Sequence, residues 1–268
     1  MRTKKKLLSL FLALAMVLTC VSSVGFADNT GVSVAKFDVF KSTTLDGIDE
    51  ANAVFDCNDV GNHTVKQSPV SDNTSDYAFY LTDEKTDTLA TATVKQWPTG
   101  NKPISASFDM TGGNARAYNY GYFFLKDKNG NAIGAQMNYQ DAALLVKAAT
   151  LTDGTITFGD KYCGFGYLNS TDSNYAEIDP SKNVHYDFSF EYTDTAVKIT
   201  VTTKGTAFFE AGQEVAGNTT TGDAEAKATV TYKLSDNNLD VETLTPMFAT
   251  IGNKTGANIA GEIYVDNF

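Results

Sequence analysis

Residue types that usually carry chemistry are scarce in this 268-residue chain, which holds two histidines, three cysteines and one tryptophan. The histidines, His63 and His185, belong to no HExxH or HxH pattern, so the usual zinc spacings are absent. No GxSxG elbow presents a nucleophilic serine. No CxxC pair occurs, which removes a zinc or redox signature. Beyond the first 27 residues there is no convincing amphipathic helix, no Pro/Ser-rich linker and no internal repeat. Positive charge is short as well, with 21 Lys and Arg against 32 Asp and Glu.

What is present begins with a leader. Arg2 and Lys4 to Lys6 precede a mostly apolar run from Leu7 to Val24, and Gly25-Phe26-Ala27 places small residues at the −3 and −1 positions. This predicts a secretory signal over residues 1–27, cleaved after Ala27, followed by one domain over residues 28–268. The flanks and the cleavage site disfavour a retained membrane anchor. Val17-Leu18-Thr19-Cys20 loosely resembles a lipobox, although Thr19 stands where such boxes place Gly, Ala or Ser. The leader takes four of the 21 basic residues and no acid, so the remaining 241 residues carry 17 basic and 32 acidic side chains, a net charge of −15. That balance disfavours nucleic acid and anionic membranes, which need cationic patches. It suits a soluble protein of the extracellular space or cell surface, and it offers carboxylates for calcium. Cys57 and Cys163 outlast cleavage. An oxidising compartment permits a disulfide between them, and two buried free thiols fit the sequence as well.

The mature chain repeats a period of two. In PISASFDMTGG, Ile104, Ala106, Phe108 and Met110 share one face, and Ser105, Ser107 and Asp109 the other. In NVHYDFSFEYTDTAVKITVTTKG, Val184, Tyr186, Phe188, Phe190 and Tyr192 alternate with His185, Asp187, Ser189 and Glu191. After Thr193-Asp194-Thr195, Val197, Ile199 and Val201 alternate with Lys198, Thr200 and Thr202. This is the clearest antiparallel hairpin of the chain. Further strands are predicted at 77–82, 88–96, 117–126, 132–139, 142–148, 155–158, 227–234, 246–251 and 261–268, with a short one spanning Val34 to Phe40. Residues 58–76 and 203–226 read as long polar loops. A dozen strands without helices predict an all-β fold, a two-sheet antiparallel β-sandwich of jelly-roll type. An immunoglobulin domain is about half as long and carries a Cys…Trp…Cys pattern missing here.

Asp127-Lys128-Asn129-Gly130-Asn131 imitates the start of a calcium loop. Ala132 replaces the glycine required at its sixth position and Asn138 the glutamate at its twelfth. A hairpin turn with Asn129-Gly130 at positive φ explains it better. His63 lies in a polar loop and His185 on the polar face of the hairpin, where a solvated side chain is the simpler expectation than a general base.

Sugar recognition asks for aromatic faces beside hydrogen-bonding groups. Trp97, at a strand end entering a turn, either stacks a sugar or plugs the end of the sandwich. Tyr162, Tyr167 and Tyr175 lie in the loop-like KYCGFGYLNSTDSNYAE. In RAYNYGYFFLKDKNGNAIG, Tyr118, Tyr120, Tyr122 and Phe124 share a face. An exposed Phe124 is costly, so its end of the row is expected to be covered, leaving Tyr118 and Tyr120 as the sugar-facing candidates.

VHYDFSFEYTDTAVKITV resembles the hairpin of concanavalin-A-like and laminin-G-like sandwiches. GEIYVDNF resembles the closing strand of jelly-roll carbohydrate-binding modules, and ISASFDM with YGYFFLKDKNGNAIG fits their middle strands. The resemblance implies a secreted module of polysaccharide-active or cell-surface proteins. It implies a structural calcium held by Asp266 of the closing strand and, more weakly, Asp38 of the first. The Glu-x-Asp-x-x-Glu signature of concanavalin-like glycosidases starts at Glu177-Ile178-Asp179 and fails at Lys182. No catalytic residue is therefore assigned. The leading expectation is a non-catalytic module that binds polysaccharide or another glycan, or serves adhesion. The competing classes are a jelly-roll glycoside hydrolase or lyase and a structural spacer. The chain stops inside a strand, which reads either as the front of a longer protein with further domains or as a natural end.

Overall fold

The computed structural model describes residues 47–67, 77–83, 88–95, 97, 102–112, 120–140, 143–167, 184–204, 209–210, 213–214, 225–252 and 261–268. They form two antiparallel sheets of seven strands each. The first sheet runs, edge to edge, β1 (Phe55–Cys57), β4 (Ala90–Val94), β15 (Thr245–Ile251), β6 (Tyr120–Lys126), β7 (Ala132–Gln140), β8 (Ala143–Thr152) and β9 (Thr155–Tyr167). The second runs β14 (Glu225–Lys233), β11 (Ala196–Lys204), β10 (Val184–Tyr192), β5 (Ser105–Gly112), β16 (Gly261–Asp266), β3 (Tyr77–Asp83) and β2 (Gly61–Gln67). Between the strands of these two sheets the chain crosses over from β1 to β2, β3 to β4, β4 to β5, β5 to β6, β9 to β10, β14 to β15 and β15 to β16, so neither sheet forms from one local segment. This is the expected all-β sandwich.

Alternation explains the interior. Phe108 of β5 and Phe188 of β10 point inward from the second sheet, and their rings stack at 5.4 Å. Phe123 of β6 and Phe248 of β15 meet them from the first, with Phe123–Phe188 at 4.7 Å and Phe108–Phe248 edge-on at 4.9 Å. All four are buried. Each such side chain contributes about 1.5–3 kcal/mol when taken out of water.

The first sheet is buried on its other face too. Leu89, Tyr122, Phe124, Ala149, Leu151, Met247 and Ala249 form a second apolar cluster there, with Tyr122 and Phe124 1 % and 0 % exposed. The expected covering of Phe124 is thus found, and it extends to Tyr122. The Gln136 amide donates to the Tyr122 hydroxyl at 2.9 Å, which supplies the buried phenol with a partner.

Several local expectations are corrected. Residues 61–67 of the supposed loop 58–76 are β2, because Val65 faces the core while its neighbours meet β3. Helix α1 (Gly47–Val54) exists and packs on β1 and β2 with Ala51 fully buried. The interval 203–226 is not simply a loop, since β11 runs to Lys204, β14 begins at Glu225, and a two-strand ribbon, β12 (Phe209–Glu210) with β13 (Gln213–Glu214), lies between. The loop-like KYCGFGY is the second half of β9, reached through a register shift opposite Lys147 and Ala149. The expected strand at Val34 to Phe40 lies outside the described residues.

The turn at 127–131 is a hairpin turn, but only Gly130 takes a positive φ, 90°. The buried Asp127 holds it. Its Oδ1 accepts from the backbone N–H of Asn129 and Asn131, both at 2.9 Å, and its Oδ2 from that of Asp240 at 3.0 Å. That carboxylate is occupied by three backbone donors. Asp240 follows helix α2 (Leu234–Asn237), so the contact pins the β6–β7 turn to the chain entering β15.

Candidate functional site

The outer face of the second sheet is polar because β10 alternates cleanly, with Tyr186, Phe188 and Phe190 inward and His185, Asp187, Ser189 and Glu191 outward. Register supplies the neighbours. On β5, Asp109 lies opposite His185, Ser107 opposite Asp187 and Ser105 opposite Ser189. On β11, Thr202 lies opposite Asp187 and Thr200 opposite Ser189. Between these strands lies an open depression of about 270 Å³, lined by Ser105, Ala106, Ser107, Asp187, Phe188, Ser189 and Thr202. Its rim is hydroxyl, with one carboxylate.

His185 borders the depression. Its Nδ1 lies 2.6 Å from Asp109 Oδ1 and its Nε2 3.3 Å from Asp187 Oδ1. Asp109 is held a second time, by the Asn267 amide donating to Oδ2 at 2.6 Å. Asn267 takes a left-handed φ of 53°, its N–H donates to Asp266 Oδ1 at 2.8 Å, and Phe268 turns back edge-on to Phe248 at 5.4 Å. With a carboxylate at each ring nitrogen, this arrangement leaves His185 unsuited to take a proton from Ser107 or Ser189.

Further along the face, Tyr264 on β16 lies opposite Thr111 and beside Tyr80 on β3, with ring centroids 4.9 Å apart. The Tyr80 hydroxyl donates to Glu262 at 2.9 Å, and the Lys66 ammonium sits 3.4 Å above its ring. Burial, then the bond to Glu262, pushes the Tyr80 phenol up to about 12. Tyr264 is raised by burial and by Glu262. Both phenols are neutral at ordinary pH; Tyr80 is buried and Tyr264 half-buried.

Of the residues singled out in the sequence, Trp97 is half-buried and packs against the main core, so part of its ring is already occupied. Tyr120 lies on β6, and Tyr162 and Tyr167 on β9; the side chains of these three, and all of Tyr118, Tyr175 and Asp38, lie outside what is described. β6 and β9 are separated by β7 and β8. Phe158 on β9 is an aromatic the sequence reading missed. It is 39 % exposed, lies under the Lys147 ammonium at 5.0 Å and stacks toward Tyr122 at 6.5 Å. Asp266 is buried on β16 of the second sheet, and among the described residues no three His, Cys, Asp or Glu converge as a metal set.

His63 belongs to another place. It sits on β2 beside α1, with Nε2 2.8 Å from Asn52 Oδ1, its proton affinity lowered by burial and by Lys95. Cys57 is free, and burial pushes its thiol up to about 12. Cys57 and Cys163 lie on the two opposite edge strands of the first sheet, β1 and β9. Six strand spacings of about 4.8 Å separate them, far beyond the roughly 7 Å limit for a disulfide. No helix among the described residues is long and apolar enough to cross a membrane.

No family model matches the chain, and no curated protein matches it. Among solved structures it is similar to a legume lectin-like domain from Entamoeba histolytica, with 10 % identity, 89 % of this chain and 98 % of that chain covered, and a TM-score of 0.43.

Proposed function

We propose that this chain is a secreted, non-catalytic module that binds polysaccharide or another glycan on the outer face of its second sheet. The observation that carries this reading is the depression between β5, β10 and β11. Ser105, Ser107, Ser189 and Thr202 each both donate and accept, and Asp187 accepts. Such a set answers the hydroxyls of a sugar. On the same face Tyr264, half-buried and backed by the buried Tyr80 ring, offers a partly open ring to the apolar side of a neighbouring unit. The charge, −11 over the whole sequence, favours neutral glycans over polyanions. The leader supports export.

Sedimentation with insoluble polysaccharides, together with a glycan array, tests this. The wild type is expected to be retained on at least one neutral glycan, and Asp187→Ala to lose about tenfold in affinity while staying folded. A folded sample that binds nothing across the panel overturns the glycan reading. Asp109 and Asp187 share a face with a histidine between them, so release of reducing sugar from the same panel is measured in parallel. Product that disappears in Asp187→Ala would replace binding with hydrolysis.

A further inference from the structure

His185 is placed to do more than fill the rim. A carboxylate oxygen only accepts, and a neutral imidazole has one N–H. Yet both ring nitrogens of His185 face carboxylate oxygens, at 2.6 Å on Asp109 and 3.3 Å on Asp187. Only the doubly protonated ring satisfies both contacts. Removing one proton turns a lone pair toward one carboxylate. The contact with Asp187 yields, because it is the longer and because Asp187 is 60 % exposed, whereas Asp109 is 20 % exposed and also held by Asn267.

We infer that His185 is a positioning residue for the proposed glycan site: its protonated ring holds the Asp187 carboxylate at the edge of the depression, and binding weakens when the ring loses its proton. This rests on the glycan reading and adds its regulation. By backbone register, charged and polar positions near this pair include Asp266, opposite Asp109 on β16, and on β11 Thr202, opposite Asp187, with Lys204 two residues on. On β14, Lys227 pairs with Thr202. A loose Asp187 must be ordered again by each ligand, and fixing one such side chain corresponds to about a two- to tenfold change in affinity.

The experiment has two arms. NMR of the free protein follows the His185 ring and the Asp187 side-chain carboxyl from pH 5 to 8.5. The carboxyl signal is expected to move with the midpoint of the ring, and to lose that step in His185→Gln. Retention on cellulose, chitin, starch and xyloglucan is then measured at pH 5.5 and 8. Wild type is expected to bind about two- to tenfold more weakly at pH 8. His185→Gln should bind at the weaker level at both, and His185→Arg, whose charged fork serves both carboxylates at any pH, at the stronger level at both. A carboxyl that ignores the ring, or wild-type retention unchanged between the two pH values, overturns the inference while leaving the glycan reading intact. No retention on any matrix at either pH overturns both, and is recognisable because the NMR arm certifies a folded protein.

Discussion

The two sheets share an alternating pattern and treat their outer faces in opposite ways. On the first, Tyr122 and Phe124 stack in parallel at 5.6 Å and are shut away with Leu89, Leu151 and Met247. On the second, the equivalent positions are Ser105, Ser107, Asp187, Ser189 and Thr202, around an open depression. Aromatic residues on the outer face of the first sheet are thus no guide to a binding surface. Most of the aromatic area of the outer first sheet contributes to stability, and the hydroxyl-rich strip of the second is what stays available.

Substitutions on the two faces should separate cleanly. Phe124→Ala is expected to cost about 3–5 kcal/mol in urea unfolding, as for a core phenylalanine. A loss under 1 kcal/mol would mean that the outer first sheet is not a second core. Asp127→Ala should follow at about 2–4 kcal/mol, because three backbone N–H groups lose their acceptor and the β6–β7 turn loses its tie to Asp240. Tyr122→Phe should cost about 1 kcal/mol by stranding the Gln136 amide. On the second sheet, Ser107→Ala and Asp187→Ala should each stay within about 0.5 kcal/mol of wild type while glycan retention falls. A large loss of stability there would mark the depression as structural.

Alkaline pH offers a gentler comparison. Burial raises Cys57 and Tyr80 to about 12 and raises Tyr186 and Tyr192 as well. In the unfolded chain these groups ionise near pH 9 to 10, so above that range the unfolded state holds fewer protons than the folded one. Stability therefore falls as pH rises from about 9 toward 12. The urea midpoint should drop between pH 8 and 10.5. Tyr186→Phe, which removes a fully buried phenol, should reduce the drop more than Tyr264→Phe, whose ring is partly open.

The strands clearest in the sequence were those whose burial is one-sided, although β3, β6 and β15, buried on both faces, were read as well. VHYDFSFEY and AVKITV announce themselves, because each inward Phe, Val or Ile is flanked by a polar residue. β2 hid in GNHTVKQ, where Val65 alone reaches the main core and the rest is polar. Helix α1 hid because eight residues give too little period to read. The second half of β9 hid behind Gly164 and Gly166. The candidate site was legible only in halves. Both polar rows, Ser105-Ser107-Asp109 and His185-Asp187-Ser189, were visible, but 76 residues separate Asp109 from His185, and only strand pairing brings them together. His185 is exposed, as expected, and what the sequence did not show is the carboxylate that the register puts at each ring nitrogen.

The sides of the sandwich have their own consequence. The β12–β13 ribbon rests against β9 and β14, and α1 against β1 and β2, the edge strands of the two sheets. Where these pieces lie, no neighbouring molecule can extend the ladder by adding a strand of its own. The sandwich is thereby guarded along those edges, and its backbone hydrogen bonds there stay within the molecule.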